Sequence, residues 1–125
     1  MRRYSVLFVC LGNICRSPMA EAVFRGMLRE AGLDGRVSVD SAGTGDWHVG
    51  KPPHEGTRRL LDKHRIPYDG MTARRLRDED GDEFDLIVAM DSRNEADIRE
   101  RLGASRRAEV IRFSSLLPER QLTDV

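Results

Sequence analysis

Residues 4–10 are almost continuously apolar (Tyr-Ser-Val-Leu-Phe-Val-Cys), the pattern of a strand buried on both faces of a parallel sheet. A short loop follows. Ser17 then predicts an N-cap and Pro18 the first helical position. Ala20, Val23, Phe24, Met27, Leu28 and Ala31 recur at helical spacing on one face, and Gly32 predicts the stop. Val37-Ser38-Val39 predicts a second strand. The turn formers of Asp40-Ser41-Ala42-Gly43-Thr44-Gly45-Asp46 predict a loop after it. Pro53 predicts the opening of a second helix that holds Leu60 and Leu61 and runs to about His64. Residues 74–85 alternate basic and acidic blocks and predict a solvated surface. Residues 85–90 predict a third strand, and Ser92-Arg93-Asn94-Glu95 matches a capping box for a helix carrying Ile98 and Leu102. Residues 108–113 are mixed in polarity and predict a fourth strand at a sheet edge.

Strands alternating with helices imply an α/β fold with a parallel sheet. Crossovers between parallel strands are right-handed. With strand two on one side of strand one, and strands three and four on the other, the sheet order is 2-1-3-4. Helices then lie on both faces, but one face carries a single helix for four strands. A further helix after strand four is expected to cover it. Only a short tail follows strand four here, so the expected C-terminal helix is missing from this chain.

Length and charge narrow the function. The 125 residues suit one domain, taken as 1–125. Twenty-one basic and 21 acidic residues give no formal net charge, which disfavours generic binding to nucleic acid or a membrane surface. No apolar run is long enough to span a membrane. The N-terminus passes from Met-Arg-Arg-Tyr straight into the first strand without a small-residue cleavage site, as in a cytoplasmic protein. Two cysteines, Cys10 and Cys15, make no disulfide framework, and no finger-like Cys/His spacing predicts a metal. Nothing points to an organic cofactor.

In this sheet order a ligand binds at the carboxyl ends of strands one and three, where the winding reverses. Cys10 stands there. The segment Leu11-Gly12-Asn13-Ile14-Cys15-Arg16-Ser17 leads from it into a helix N-terminus. Backbone N–H groups of such a loop converge on one point, and the helix adds partial positive charge, so an anion site results. Gly12 permits unusual backbone angles, and Asn13 tolerates a left-handed one. Arg16 offers a rigid fork that holds two oxygens of a phosphoryl group. The same positive field favours a Cys10 thiolate in line for attack. Five residues between Cys10 and Arg16 let the loop encircle one phosphate, with sulfur at the base and guanidinium at the rim. Ser17 is placed to bond the sulfur and cap the helix. No Gly-Lys pair ends the segment, which excludes a Walker loop.

Cys-Leu-Gly-Asn-Ile-Cys-Arg-Ser-Pro, with Asp40-Ser41-Ala42-Gly43-Thr44, Trp47-His48-Val49-Gly50 and Ala89-Met90-Asp91-Ser92-Arg93-Asn94, closely resembles the low-molecular-weight protein tyrosine phosphatases. The resemblance implies hydrolysis of phosphotyrosine on proteins. Cys10 would form a phosphocysteine, and Arg16 with the amides of Leu11 to Ser17 would hold the transferring group. It further implies a supporting network of Asn13, Ser17 and Ser41, and an aromatic wall at Trp47. Cys15 would trap an oxidised Cys10 as a disulfide. Trp47 equally fits an ordinary half-buried position, and Cys15 plain loop packing. The implied partners are a phosphotyrosine protein, with a bacterial tyrosine kinase behind it, and inorganic phosphate.

Two departures qualify the resemblance. The family's proton donor, an Asp followed by Pro and an aromatic residue, does not occur in this sequence. Asp124 and Asp91 are weak substitutes, and a cap role before Ser92 is favoured for Asp91. Met71 stands where the family often has His, so the loop network is expected to be built differently. Three functional alternatives remain. A binding module without turnover would follow from the missing acid. An arsenate reductase would need downstream cysteines, and none follows Cys15. In an arginine-phosphate phosphatase the Ile14 position tends to be Thr. His48, His54 and His64 offer no clear Cys–His pair for a papain-like hydrolase.

Overall fold

The apolar N-terminal run is strand β1 (Tyr4–Cys10), which pairs on both sides. The computed structural model describes residues 3–103 and 106–116. The element order is β1, α1 (Arg16–Glu30), β2 (Val37–Gly43), α2 (Glu55–Lys63), a one-turn α3 (Asp80–Glu83), β3 (Leu86–Ala89), α4 (Ser92–Leu102) and β4 (Glu109–Arg112). A 3-10 turn, Phe113–Leu116, follows. All pairings are parallel, and the strand order is β2-β1-β3-β4, the arrangement expected. In register, Leu7 of β1 stands opposite Asp40 of β2 and Ile87 of β3.

Alternation along the central strands sorts the core into two faces. Leu7, Val9, Ile87, Ala89 and Val110 point to one face and pack with Ile98 of α4 and with Leu76. Val6, Phe8, Cys10, Val88 and Met90 point to the other and pack with Ala20 and Phe24 of α1. The Phe8 and Phe24 rings meet edge to face at 5.9 Å. Full burial of a Leu or Ile side chain contributes roughly 2 kcal/mol, so the strand centre that carries the site is well anchored.

Helix α1 closes where Gly32 was expected to stop it. Gly32 adopts φ 72°, its N–H donates to Arg29 O, and the Leu33 N–H reaches back to Leu28 O at 2.8 Å, a Schellman closure. The apolar face of α1 is only partly covered. Met27 is 60% exposed, and a cavity of about 460 Å³ opens between Phe24, Met27, Val88 and Phe113. Among the described residues, α1 is the helix whose side chains pack on this face of the sheet. Residues after 116, where a further helix was sought, lie outside the described residues.

Three expectations are corrected. First, β2 runs on to Gly43 because Asp40, Ser41 and Ala42 pair with Leu7, Phe8 and Val9; tertiary pairing overrides turn-forming composition. Second, α2 starts at Glu55, capped by His54, whose Nδ1 accepts from Gly56 N at 3.1 Å. It packs beside α1, while Leu76 and Phe84 fill the opposite face of the sheet. Third, the charged stretch 74–85 is not a plain solvated surface. Gly43 N donates to Arg74 O, and Leu76 N to Gly43 O, both at 2.8 Å, which draws this segment along the end of β2. Leu76 becomes core, and Asp80 is fully buried.

Asp80 accepts from Arg74 Nη1 (3.0 Å), Arg74 Nη2 (3.2 Å), Arg77 N (2.8 Å) and Arg77 Nη2 (3.2 Å). Burial by itself pushes its carboxyl up. The hydrogen bonds from Arg74 and the Arg77 N–H, with the Arg74 charge, outweigh burial and hold Asp80 below its ordinary 3.8. A carboxyl depressed on folding stabilises the native state above the unfolded value and loses that contribution as pH falls through the folded one. Asp80→Asn is therefore expected to destabilise the fold by about 3 kcal/mol at neutral pH. In urea titrations the gap between parent and variant should narrow as pH drops below 3.8. A gap that stays constant with pH would show that the Asp80 charge is not what stabilises.

Candidate active site

The loop after β1 starts from a clamped base. Thr44 N donates to Cys10 O and Gly45 N to Leu11 O, both at 2.9 Å, so the ladder continues past the strand end. Gly43 makes this approach possible. A Cβ there would lie 2.8 Å from Leu11 O and 3.1 Å from Gly12 C, both backbone atoms that cannot swing aside. At the far end of the loop, the bond from Met19 N to Cys15 O opens α1. The N–H groups of the first turn precede that ladder and face the loop, and Pro18 has none to lose.

Asn13 takes the left-handed conformation, with φ 59°. Gly12, expected to share that role, does not adopt a positive φ. Its lack of a side chain serves another purpose: a Cβ at Gly12 would sit 2.9 Å from His48 Cδ2, so the imidazole lies against the loop. Ser17 was expected to cap α1. The cap position belongs instead to Cys15, which makes no side-chain cap bond. The Ser17 hydroxyl is committed elsewhere, 2.9 Å from Cys10 Sγ and accepting from Asn13 Nδ2 at 2.9 Å. A hydroxyl held at the sulfur cannot also turn back to the helix end.

Cys10 Sγ, buried, thus accepts from Asn13 N at 3.2 Å and is hydrogen-bonded with the Ser17 hydroxyl. Asn13 Nδ2 also donates to Ser41 Oγ at 2.9 Å, which brings together the three residues expected to support the loop. The network then extends to groups that sequence reading missed. Arg74 N donates to Asn13 Oδ1 at 2.9 Å, and the Ser41 hydroxyl donates to Glu21 Oε1 at 2.6 Å. Met71 shares a narrow cleft with Asn13 and Ser41 and offers them no hydrogen bond donor. Glu21 had one legible signal: it lies four residues after Ser17 and so shares its buried helix face.

Arg16 stands at the other rim. Its Nη1 donates to Asp91 Oδ2 at 3.0 Å, across the point where β1 and β3 diverge. Asp91 is also the N-cap of α4, its Oδ1 accepting from Asn94 N at 2.8 Å. The cap role favoured for Asp91 is the one the structure shows, and the capping box read at Ser92 starts one residue too late. Asp91 is still extended at the strand end, which aims its carboxylate over the first turn. Both Asp91 oxygens accept hydrogen bonds. Asp124 lies outside the described residues.

Leu11 and Trp47 are exposed and line a cavity of about 440 Å³ beside the loop, together with Thr44, Gly45 and α4 residues. The Trp47 ring lies over Gly45, where a Cβ would come within 2.3 Å of it. Ile14 O accepts from His54 N at 2.6 Å, tying the loop to the start of α2. Cys10 is buried and Cys15 exposed, and both thiols are free. Among the described residues, no cluster of His, Cys, Asp and Glu suits a metal ion, and no helix is long and apolar enough to cross a membrane.

The family model described as low molecular weight phosphotyrosine protein phosphatase matches residues 5–125. The chain belongs to this family. Over 97% of its length it is 49% identical to the low molecular weight protein-tyrosine-phosphatase YfkJ of Bacillus subtilis, of which it spans 78%. The crystal structure of YfkJ superposes with a TM-score of 0.95 at 47% identity, covering 100% of this chain and 79% of that one. The low molecular weight protein-tyrosine-phosphatase PtpA of Staphylococcus epidermidis is 53% identical over 76% of this chain, and the match spans 60% of that relative. The family assignment accords with the geometry: a loop leading from β1 into α1 at the β1–β3 switch point, with the Cys10 sulfur beneath it and the Arg16 guanidinium held by Asp91.

Proposed function

We propose that this chain hydrolyses phosphotyrosine on proteins through a phosphocysteine at Cys10. The observation that carries the reading is a buried sulfur below the loop that accepts from Asn13 N and meets the Ser17 hydroxyl at 2.9 Å. Such a sulfur is held as a hydrogen-bond acceptor, which is what a nucleophilic thiolate needs. Cys10 Sγ attacks phosphorus, and the bond from phosphorus to the tyrosyl oxygen breaks. Water then attacks the phosphocysteine, releases inorganic phosphate and returns the thiolate. Arg16 and the backbone N–H groups of Leu11 to Ser17 hold the three equatorial oxygens as charge spreads over them. Asp91 holds Arg16 in place. Its oxygens are engaged as acceptors, so the proton for the leaving phenolate comes from another group. Side chains and backbone supply everything this reaction asks of the loop, without a metal or organic cofactor.

Leu11 and Trp47 form the wall that receives the aromatic ring, and Ile14 favours tyrosine phosphate over the less apolar arginine phosphate. No cysteine follows Cys15 to relay electrons for arsenate reduction. Cys15 is the thiol available to an oxidised Cys10. The substrate is a cytoplasmic phosphoprotein, with a bacterial tyrosine kinase as the enzyme that supplies it.

The test compares phosphate release from a phosphotyrosine peptide and a phosphoarginine peptide of the same sequence, with acid quench to trap phosphorus on Cys10. Faster release from phosphotyrosine, with label on Cys10, is expected. Preference for phosphoarginine would overturn the substrate. Binding of both peptides without release from either would make the chain a binding module.

A further inference from the structure

Glu21 has no part in the reaction just described, yet its side chain is buried, the residue being 4% exposed, and it ends an unbroken run of buried hydrogen bonds that leads to Cys10. The direction of each bond follows from counting protons. Arg74 N–H donates to Asn13 Oδ1, which decides that the amide nitrogen faces the two hydroxyls. Asn13 Nδ2 then spends one hydrogen on Ser41 Oγ and the other on Ser17 Oγ. The Ser41 proton is left for Glu21 Oε1, and, with Cys10 as the thiolate of the proposed reaction, the Ser17 proton for Cys10 Sγ. Each donor has one acceptor, and the run points one way.

An acceptor at position 21 is what permits that order. Without it the Ser41 proton turns toward the Asn13 amide, and two donors face each other. Asn13 must then shift, and Ser17 loses the bond that aims its own proton at the sulfur. Buried networks of this kind act as a unit. The charged groups facing Glu21 are few. From its own helix, Arg25 pairs with Oε2 and also donates to Val39 O at 2.9 Å. From β2, Asp40 lies near, itself held by Arg74 Nε at 3.2 Å and by Ser41 N at 2.8 Å. Burial pushes the Glu21 carboxyl up from its ordinary 4.5; the Ser41 hydroxyl and Arg25 pull against it.

We propose that Glu21 is a positioning residue of this site, its carboxylate setting the polarity of the Ser41–Asn13–Ser17 relay and so keeping the Ser17 hydroxyl donating to Cys10 Sγ. The inference rests on Cys10 being the nucleophile. It makes geometry at Oε1, rather than charge at position 21, the decisive property. Glu21→Gln can turn its Oε1 to Ser41 while the partly exposed Arg25 side chain swings outward. Glu21→Asp keeps the charge but is one methylene too short to reach Ser41. Glu21→Met removes the acceptor at similar volume.

The experiment measures alkylation of the thiols by iodoacetamide at about pH 6, counting the part suppressed by inorganic phosphate so that exposed Cys15 is excluded. Glu21→Met and Glu21→Asp are expected to slow that part about tenfold, the effect of one charge-assisted hydrogen bond. Glu21→Gln should stay within about threefold of the parent. In a Ser41→Ala background, Glu21→Met should add nothing, because its route to the sulfur is already cut. Parent-like alkylation in folded Glu21→Asp would overturn the relay. So would independent, multiplying effects of Glu21→Met and Ser41→Ala. Alkylation does not depend on turnover, so a failed relay is distinguishable from a failed phosphatase reading.

Discussion

Cys10→Ser is expected to lower kcat toward para-nitrophenyl phosphate by about four orders of magnitude or more, as removal of a covalent nucleophile does elsewhere. This substrate has a stable leaving group that departs with little help from an acid, so the assay isolates the sulfur chemistry. The variant should fold as the parent does, because a hydroxyl at position 10 can still accept from Ser17 and Asn13. It should also keep its affinity for inorganic phosphate, since the loop amides and Arg16 are untouched. Turnover and a phosphate-dependent thermal midpoint, measured on the same preparation, separate the two roles. Residual kcat within about tenfold of the parent would remove Cys10 from the chemistry.

Arg16→Lys is expected to cost about 100- to 1000-fold in kcat, the range for losing a preorganised donor at a developing charge. The charge is conserved, but the planar fork is not. One ammonium cannot hold two phosphoryl oxygens and keep the orientation that Asp91 gives the guanidinium through its 3.0 Å bond. Binding of phosphate should weaken less than kcat falls, because a point charge still attracts the ground-state anion. The measurement is kcat against the inhibition constant of inorganic phosphate. Equal losses in both would mean that Arg16 only recruits the anion.

Much of this site was legible in sequence. A continuous apolar run, a loop holding Gly and Asn, and an Arg at the entrance of an amphipathic helix are local signals, and the structure places them as a strand, a tight loop and a helix start. The strand order was posited from the alternation of strands and helices, and crossover handedness then placed the helices on both faces. Misassigned features share one cause. Ser17, Ser92, Gly12 and the charges of residues 74–85 were each given the commonest local use of their residue type. Ser17 lost its cap role to a sulfur seven residues back, and the capping box read at Ser92 yielded to the cap role favoured for Asp91. Gly12 was needed by an imidazole thirty-six residues on, and Asp80 was drawn inside by Arg74 and Arg77.

By itself, the sequence determined the order and type of the main elements, with Cys10 at the end of β1, Arg16 at the start of α1 and a short loop between them. Those depend on neighbours within one turn or one loop, where backbone sterics and hydrophobic periodicity decide. Only the tertiary structure decided which distant polar groups complete the site: Asp91 for Arg16, 75 residues away, Arg74 for Asn13, 61 away, and Ser41 between Asn13 and Glu21. A buried polar group must find a partner, and residue type states that demand. Which partner meets it depends on which strand ends and loops packing brings together.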